Sequence, residues 1–104
     1  MVNELNKENI LSTLSSRQQD LEKFGVCRIG LFGSYVKESA GENSDVDLLV
    51  DFKSEKKTLK NLVELGEYLE TLFSKKVDIV TPQGLSKYIG PYVLKEVKYA
   101  SFQP

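Results

Sequence analysis

The sequence predicts a small α+β domain: one short mixed β-sheet with helices packed on one face. Two observations carry this. Three apolar runs of strand length, Val26 to Phe32, Val46 to Phe52 and Val77 to Val80, are separated by segments with helical periodicity. The chain has 104 residues, the size of a single domain with a real core, so residues 1–104 are read as one unit.

The elements follow in order. Ile10, Leu11, Leu14, Leu21 and Phe24 recur at helical spacing, which predicts one opening helix stopped at Gly25. Val26 to Phe32 is the first strand, and Gly33 breaks it. Tyr35 to Ala40 reads as a short helix or irregular turn, and Gly41-Glu42-Asn43-Ser44 as loop. In the second strand Val46, Leu48, Val50 and Phe52 share the core face, while Asp45, Asp47, Leu49 and Asp51 point the other way. That opposite face is expected to stay open as a cleft. Thr58 caps a helix whose broad apolar face carries Leu59, Leu62, Val63, Leu65, Leu69, Leu72 and Phe73, with Lys75-Lys76 at its end. The third strand stops at Thr81-Pro82, and Pro91 to Tyr99 reads as a final helix with Val93, Leu94 and Val97 inward.

Composition narrows the chemistry. A net charge of −1 provides no basic field for polymer nucleic acid, so direct nucleic-acid binding is not expected. No apolar run reaches membrane-spanning length, Met1-Val2-Asn3-Glu4 lacks a signal-peptide pattern, and Cys27 is alone; a reducing cytoplasm is the expected location. Cys27 is expected to be a buried, inert thiol. The chain has no histidine. Ser-His-Asp and Cys-His catalysis and histidine metal sites are thereby excluded, and one cysteine is too few for a zinc centre. Carboxylate-bound Mg²⁺ or Mn²⁺ is the metal chemistry that survives.

The residues for it are present. Asp45 and Asp47 stand two apart at the start of a strand, on one side, with Cα atoms roughly 6.5 Å apart. Paired carboxylates repel, and a hard divalent cation removes that penalty. Asp78 interrupts the third strand and is placed to be a third acid, bound to one ion and orienting or deprotonating an attacking hydroxyl. Gly33-Ser34, leaving a strand just upstream of the acid pair, reads as a phosphate contact through backbone N–H groups and the Ser34 hydroxyl, and Lys37 offers a cation for phosphate oxygens. Together these point to phosphoryl or nucleotidyl transfer with two ions about 3.5–4 Å apart. Asp51 lies about 13 Å along the strand from the pair and is left out. Tyr35, Tyr88, Tyr92 and Tyr99 are read as amphipathic residues at the core edge.

Ile29 to Phe52 resembles the minimal nucleotidyltransferases, the MNT-domain proteins of the DNA polymerase β superfamily. Gly33-Ser34, Ser44-Asp45-Val46-Asp47 and Leu48-Leu49-Val50 match that family's hallmark, and Val77-Asp78-Ile79-Val80 matches the strand of its third acid. One motif departs: members carry Arg-Gly shortly after Gly-Ser, where this chain has Lys37-Glu38. Lysine keeps the charge without arginine's planar fork, and Glu38 stands where a glycine tolerates positive φ, a position that a re-routed loop would hand to Gly41. The resemblance implies the polymerase β-like fold, with Asp45, Asp47 and Asp78 as metal-binding and catalytic residues and Gly33, Ser34 and Lys37 at the nucleotide. It implies an antitoxin that moves AMP from ATP to a tyrosine of a HEPN-domain toxin encoded by a neighbouring gene. Two alternatives accompany it: neutralisation of the partner by contact alone, and nucleotidylation of a small molecule, as in aminoglycoside-modifying relatives, with a second subunit. The nucleobase is not legible in the residues.

Overall fold

The structure, a computed structural model, describes residues 5–103, so the reading of Met1 to Glu4 lies outside the described residues. A four-stranded mixed sheet forms in the order β3-β2-β1-β4. Strands β1 (Val26–Phe32) and β2 (Val46–Phe52) are antiparallel, and β2 runs parallel to β3 (Val77–Val80). A parallel pair needs a crossover, which helix α3 (Leu59–Phe73) supplies. Thr58 caps it by accepting the Asn61 N–H at 3.1 Å, and Ser74 ends it in the left-handed region at φ 53.

Helices α1 (Lys7–Ser16) and α2 (Gln18–Lys23) replace the single opening helix that the apolar spacing predicts. The chain breaks at Arg17, φ −103 and ψ 20, just after Ser16 turns its hydroxyl onto the Thr13 carbonyl. Such side-chain bonds compete with helix continuation. Leu14 and Leu21 are both fully buried although they lie on separate helices. Gly25 ends α2 as expected, at φ +84.

The core lies between the sheet and α1, α2 and α3. Ile29, Leu31, Val46, Leu48 and Val50 meet Ile10, Leu14, Leu21, Leu65, Leu69 and Phe73 there. Tyr68 donates to the Asp20 carboxylate at 2.8 Å and ties α3 to α2. Leu59 and Val63, expected on the apolar face of α3, are 77% and 52% exposed instead.

The second face of the sheet is only partly open. Leu49 is buried there, outside the main cluster, and so is Val93 of helix α4 (Gly90–Glu96). The expected final helix stops at Glu96: Val97 is extended, and Lys98–Tyr99 forms β4 against β1, pairing Gly30 with Tyr99. A Cβ on Gly30 would come within 2.5 Å of Val97 and 2.9 Å of Tyr99, so only glycine lets this segment cross. Leu94, expected inward, is 52% exposed.

Cys27 is exposed, not buried. The pairing of β1 with β2 shifts between Val26 and Arg28, so Cys27 is the extra residue of a β-bulge, and Cys27 and Arg28 both face solvent. The tyrosines divide as well: Tyr35 is buried, Tyr99 is half-buried, and Tyr88 and Tyr92 stand exposed.

Candidate functional site

The site forms where β1 ends, β2 begins and β3 runs alongside. Phe32 pairs with Asp47, so the turn that follows Phe32 starts beside that carboxylate. Gly33 adopts φ +80, and a Cβ built on it would overlap the Asp47 carboxylate. Glycine is required here twice over, for backbone conformation and for the space that Asp47 fills. Gly33 to Tyr35 then form one 3₁₀ turn, and the Gly33 carbonyl accepts N–H groups of Val36 and Lys37, each at 3.1 Å. Buried Tyr35 anchors the turn in the core.

Glu38 adopts φ +59, the left-handed conformation for which glycine is suited. The loop keeps its path with glutamate in that position; Gly41 does not take over the positive φ. Lys7 lies 3.8 Å from the exposed Glu38 carboxylate.

A lysine organises the approach to Asp45. The Lys75 ammonium donates to the carbonyls of Glu42 at 2.6 Å and Ser44 at 3.0 Å, while the Gly41 N–H donates to the Ser44 hydroxyl at 2.9 Å. Two long-range bonds from Lys75 and one local bond thus fix the residues immediately before the acid pair. The sequence gives Lys75 only as the polar end of α3; its part in the loop depends on tertiary contact.

The three acids come from the neighbouring starts of two strands. Asp47 and Asp78 are register partners on the parallel β2–β3 pair, with backbones about 4.8 Å apart. Asp45 stands one residue before β2; it and Asp47 are half-buried, and Asp78 is exposed. The Asp47 carboxyl is raised above its ordinary range by burial first, then by the negative charges of Asp78, Asp45 and Glu96. That is the electrostatic condition of a carboxylate without a counter-charge. Among the described residues, no three carboxylates are drawn close enough to hold an ion in the present arrangement. Crowded carboxylate oxygens are nevertheless the donor set of Mg²⁺ or Mn²⁺, and bound cations would relieve the repulsion that lifts Asp47.

Glu96, which sequence reasoning did not select, enters the site from the end of α4. Its Oε1 accepts the Gly33 N–H at 3.0 Å, and its Oε2 lies 3.6 Å from the Lys37 ammonium. No local spacing marks this residue; the return of the chain through β4 places it. Asp51, left out of the site by distance, is engaged elsewhere: it accepts from Arg28 Nε at 2.9 Å, and that guanidinium stacks over Tyr99.

Residues 8–100 match the family model described as a nucleotidyltransferase domain. The protein adenylyltransferase MntA of Thermococcus cleftensis is 48% identical over 96 residues, covering 91% of this chain and 96% of that protein. Among solved structures, one described as a minimal nucleotidyltransferase superposes with a TM-score of 0.78 at 31% identity, covering 93% of this chain and 98% of the other. A toxin–antitoxin complex of MntA contributes a chain with a TM-score of 0.62 at 25% identity, over 96% of this chain and 75% of that one. The fold is also shared with a chain from the complex of a tri-AMPylated Shewanella oneidensis HEPN toxin with its MNT antitoxin, at 20% identity and a TM-score of 0.56, over 85% of this chain and 71% of that one.

Proposed function

Because this chain belongs to the nucleotidyltransferase-domain family and aligns with an MntA protein adenylyltransferase over nearly the full length of both, we propose that it moves AMP from ATP to a tyrosine of a HEPN-type toxin and so acts as its antitoxin. The observation that carries the reading is the contact of Gly33 with Asp47: the phosphate turn and the carboxylate platform are built against each other, and Asp78 adjoins them in register.

The residues divide the work as follows. The turn at Gly33 and Ser34, with the Lys37 ammonium, binds and orients the triphosphate. Asp45 and Asp47 would hold two Mg²⁺ ions, or Mn²⁺ in their place, and Asp78 would bind one of them. When bound, the ions supply positive charge to the attacking and leaving oxygens of an in-line displacement at the α-phosphorus. Asp78, exposed on β3 beside Asp47, accepts the proton of the incoming hydroxyl and orients it. The leaving group is pyrophosphate, and the new bond joins the acceptor oxygen to AMP. Alignment of that hydroxyl with the α-phosphorus, about 3–3.5 Å away, falls to the partner's surface. Tyr88 and Ile89, on the segment leading into α4, and Tyr92 within it support a protein partner: they stand 75%, 59% and 74% exposed, and the last residue of that helix reaches the site. Large exposed apolar side chains grouped in this way are the surface that protein contact covers.

The reading includes a single domain and a cytoplasmic location; no helix among the described residues is long and apolar enough to cross a membrane. It is tested by co-expression with the product of the adjacent gene. A HEPN-type protein should co-purify, and its ribonuclease activity should fall on incubation with ATP and Mg²⁺. Silencing that persists in Asp45→Asn without ATP would instead support neutralisation by contact. Transfer to a small molecule, with the partner untouched, would support the aminoglycoside-type reaction.

A further inference from the structure

The Glu96 carboxylate lies against residues assigned to the nucleotide. Two of the groups assigned to phosphate, the Gly33 N–H and the Lys37 ammonium, both face its carboxylate, at 3.0 Å and 3.6 Å. A carboxylate and a phosphate oxygen make the same charge-assisted contacts with such donors. Among the described residues, its hydrogen-bond and ion-pair partners are these two groups, the Gly33 N–H and the Lys37 ammonium.

We propose that Glu96 is an internal substitute for phosphate: it closes the nucleotide turn in the empty protein and must be displaced by the triphosphate of ATP. This rests on the assignment of Gly33 and Lys37 to phosphate. The carboxylate has somewhere to go, since its side chain is 25% exposed and lies at the last residue of α4, where the backbone turns extended. A resident anion at this position makes affinity a competition. Polyphosphate bearing cations displaces it; the nucleoside moiety, which engages neither donor, does not.

Glu96→Gln separates charge from structure, because glutamine retains an acceptor for the Gly33 N–H. Titration calorimetry with Mg²⁺ and a non-hydrolysable ATP analogue, and separately with inorganic triphosphate, should show Glu96→Gln binding both about tenfold more tightly than the unmodified protein, on the scale of one close like charge removed. Adenosine should show no such gain. Glu96→Leu, which removes the acceptor too, should also gain affinity. Equal or weaker triphosphate binding in Glu96→Gln overturns the proposal and makes Glu96 a support of the turn or a ligand of the ions. Binding by the unmodified protein without a gain in the variants would remove only the plug. Absence of triphosphate binding in every form would remove the phosphate assignment of Gly33 and Lys37 as well.

Discussion

Gly33→Ala is the substitution through which the architecture of the site is most exposed to test. Two costs follow from the structure. The residue sits at φ +80, where an L side chain costs about 1–2 kcal/mol. In a domain of this size that lowers Tm by roughly 4–12 °C. The second cost is functional, because the new Cβ falls on the Asp47 carboxylate. Either the carboxylate rotates away from Asp78 or the turn opens; a displacement of about 1 Å in such a constellation costs on the order of 10²-fold in rate. Gly41→Ala is the control: nothing lies within 4 Å of a Cβ there, so stability should stay within about 0.5 kcal/mol and activity should hold. Thermal denaturation and single-turnover AMP transfer measure both effects. The reasoning is refuted if Gly33→Ala loses stability as expected yet transfers AMP within about twofold of the unmodified protein, a gap far below the rate cost of misplacement.

Three further outcomes are expected. Asp47 has a raised pKa when folded, so its proton is held more tightly in the native state; its contribution to metal-free stability is most favourable below the ordinary value of 3.8 and falls as pH rises through the raised one. Asp47→Asn should therefore flatten the pH dependence of the urea midpoint over that window and stabilise the metal-free protein near neutral pH, while abolishing transfer; an unchanged slope would contradict the crowding. Asp78→Asn should keep much of the calorimetric affinity for nucleotide and lose most transfer, whereas equal loss of both would make Asp78 a binding residue. Glu38→Gly should gain about 0.5–1 kcal/mol in denaturant unfolding, since relief of the left-handed backbone exceeds glycine's entropic cost and the exposed Lys7 pair contributes little; a net loss would mean the loop depends on that pair.

The candidate site is legible in the sequence where the information that places its residues is local. Asp45 and Asp47 are fixed by strand alternation, and the turn at Gly33 by its position between two apolar runs. That Asp78 stands beside Asp47 depends on the parallel β2–β3 register, which no spacing within either strand contains. Cys27 was misplaced because a bulge is a property of two strands: alternation along β1 alone puts the thiol inside. The break at Arg17 was hidden because Leu14 and Leu21 are seven residues apart, about two helical turns, and so preserve the periodicity across it. The expected helix to Tyr99 stops short for a tertiary reason: Gly30 leaves room for Val97 and Tyr99, and Lys98–Tyr99 pairs as a fourth strand. Glu96 and Lys75 act on groups far from them in sequence, and their type and spacing resemble ordinary surface charge.

If the Asp45, Asp47 and Asp78 carboxylates drive AMP transfer onto a protein tyrosine, intact-mass spectrometry of the co-purified partner reads it out. After incubation with ATP and Mg²⁺, the partner should gain mass in units of AMP, mapped to tyrosine, with the unmodified protein and not with Asp45→Asn or Asp47→Asn. Equal modification by those variants, or an unmodified partner beside a fully folded and nucleotide-bound protein, would contradict the account.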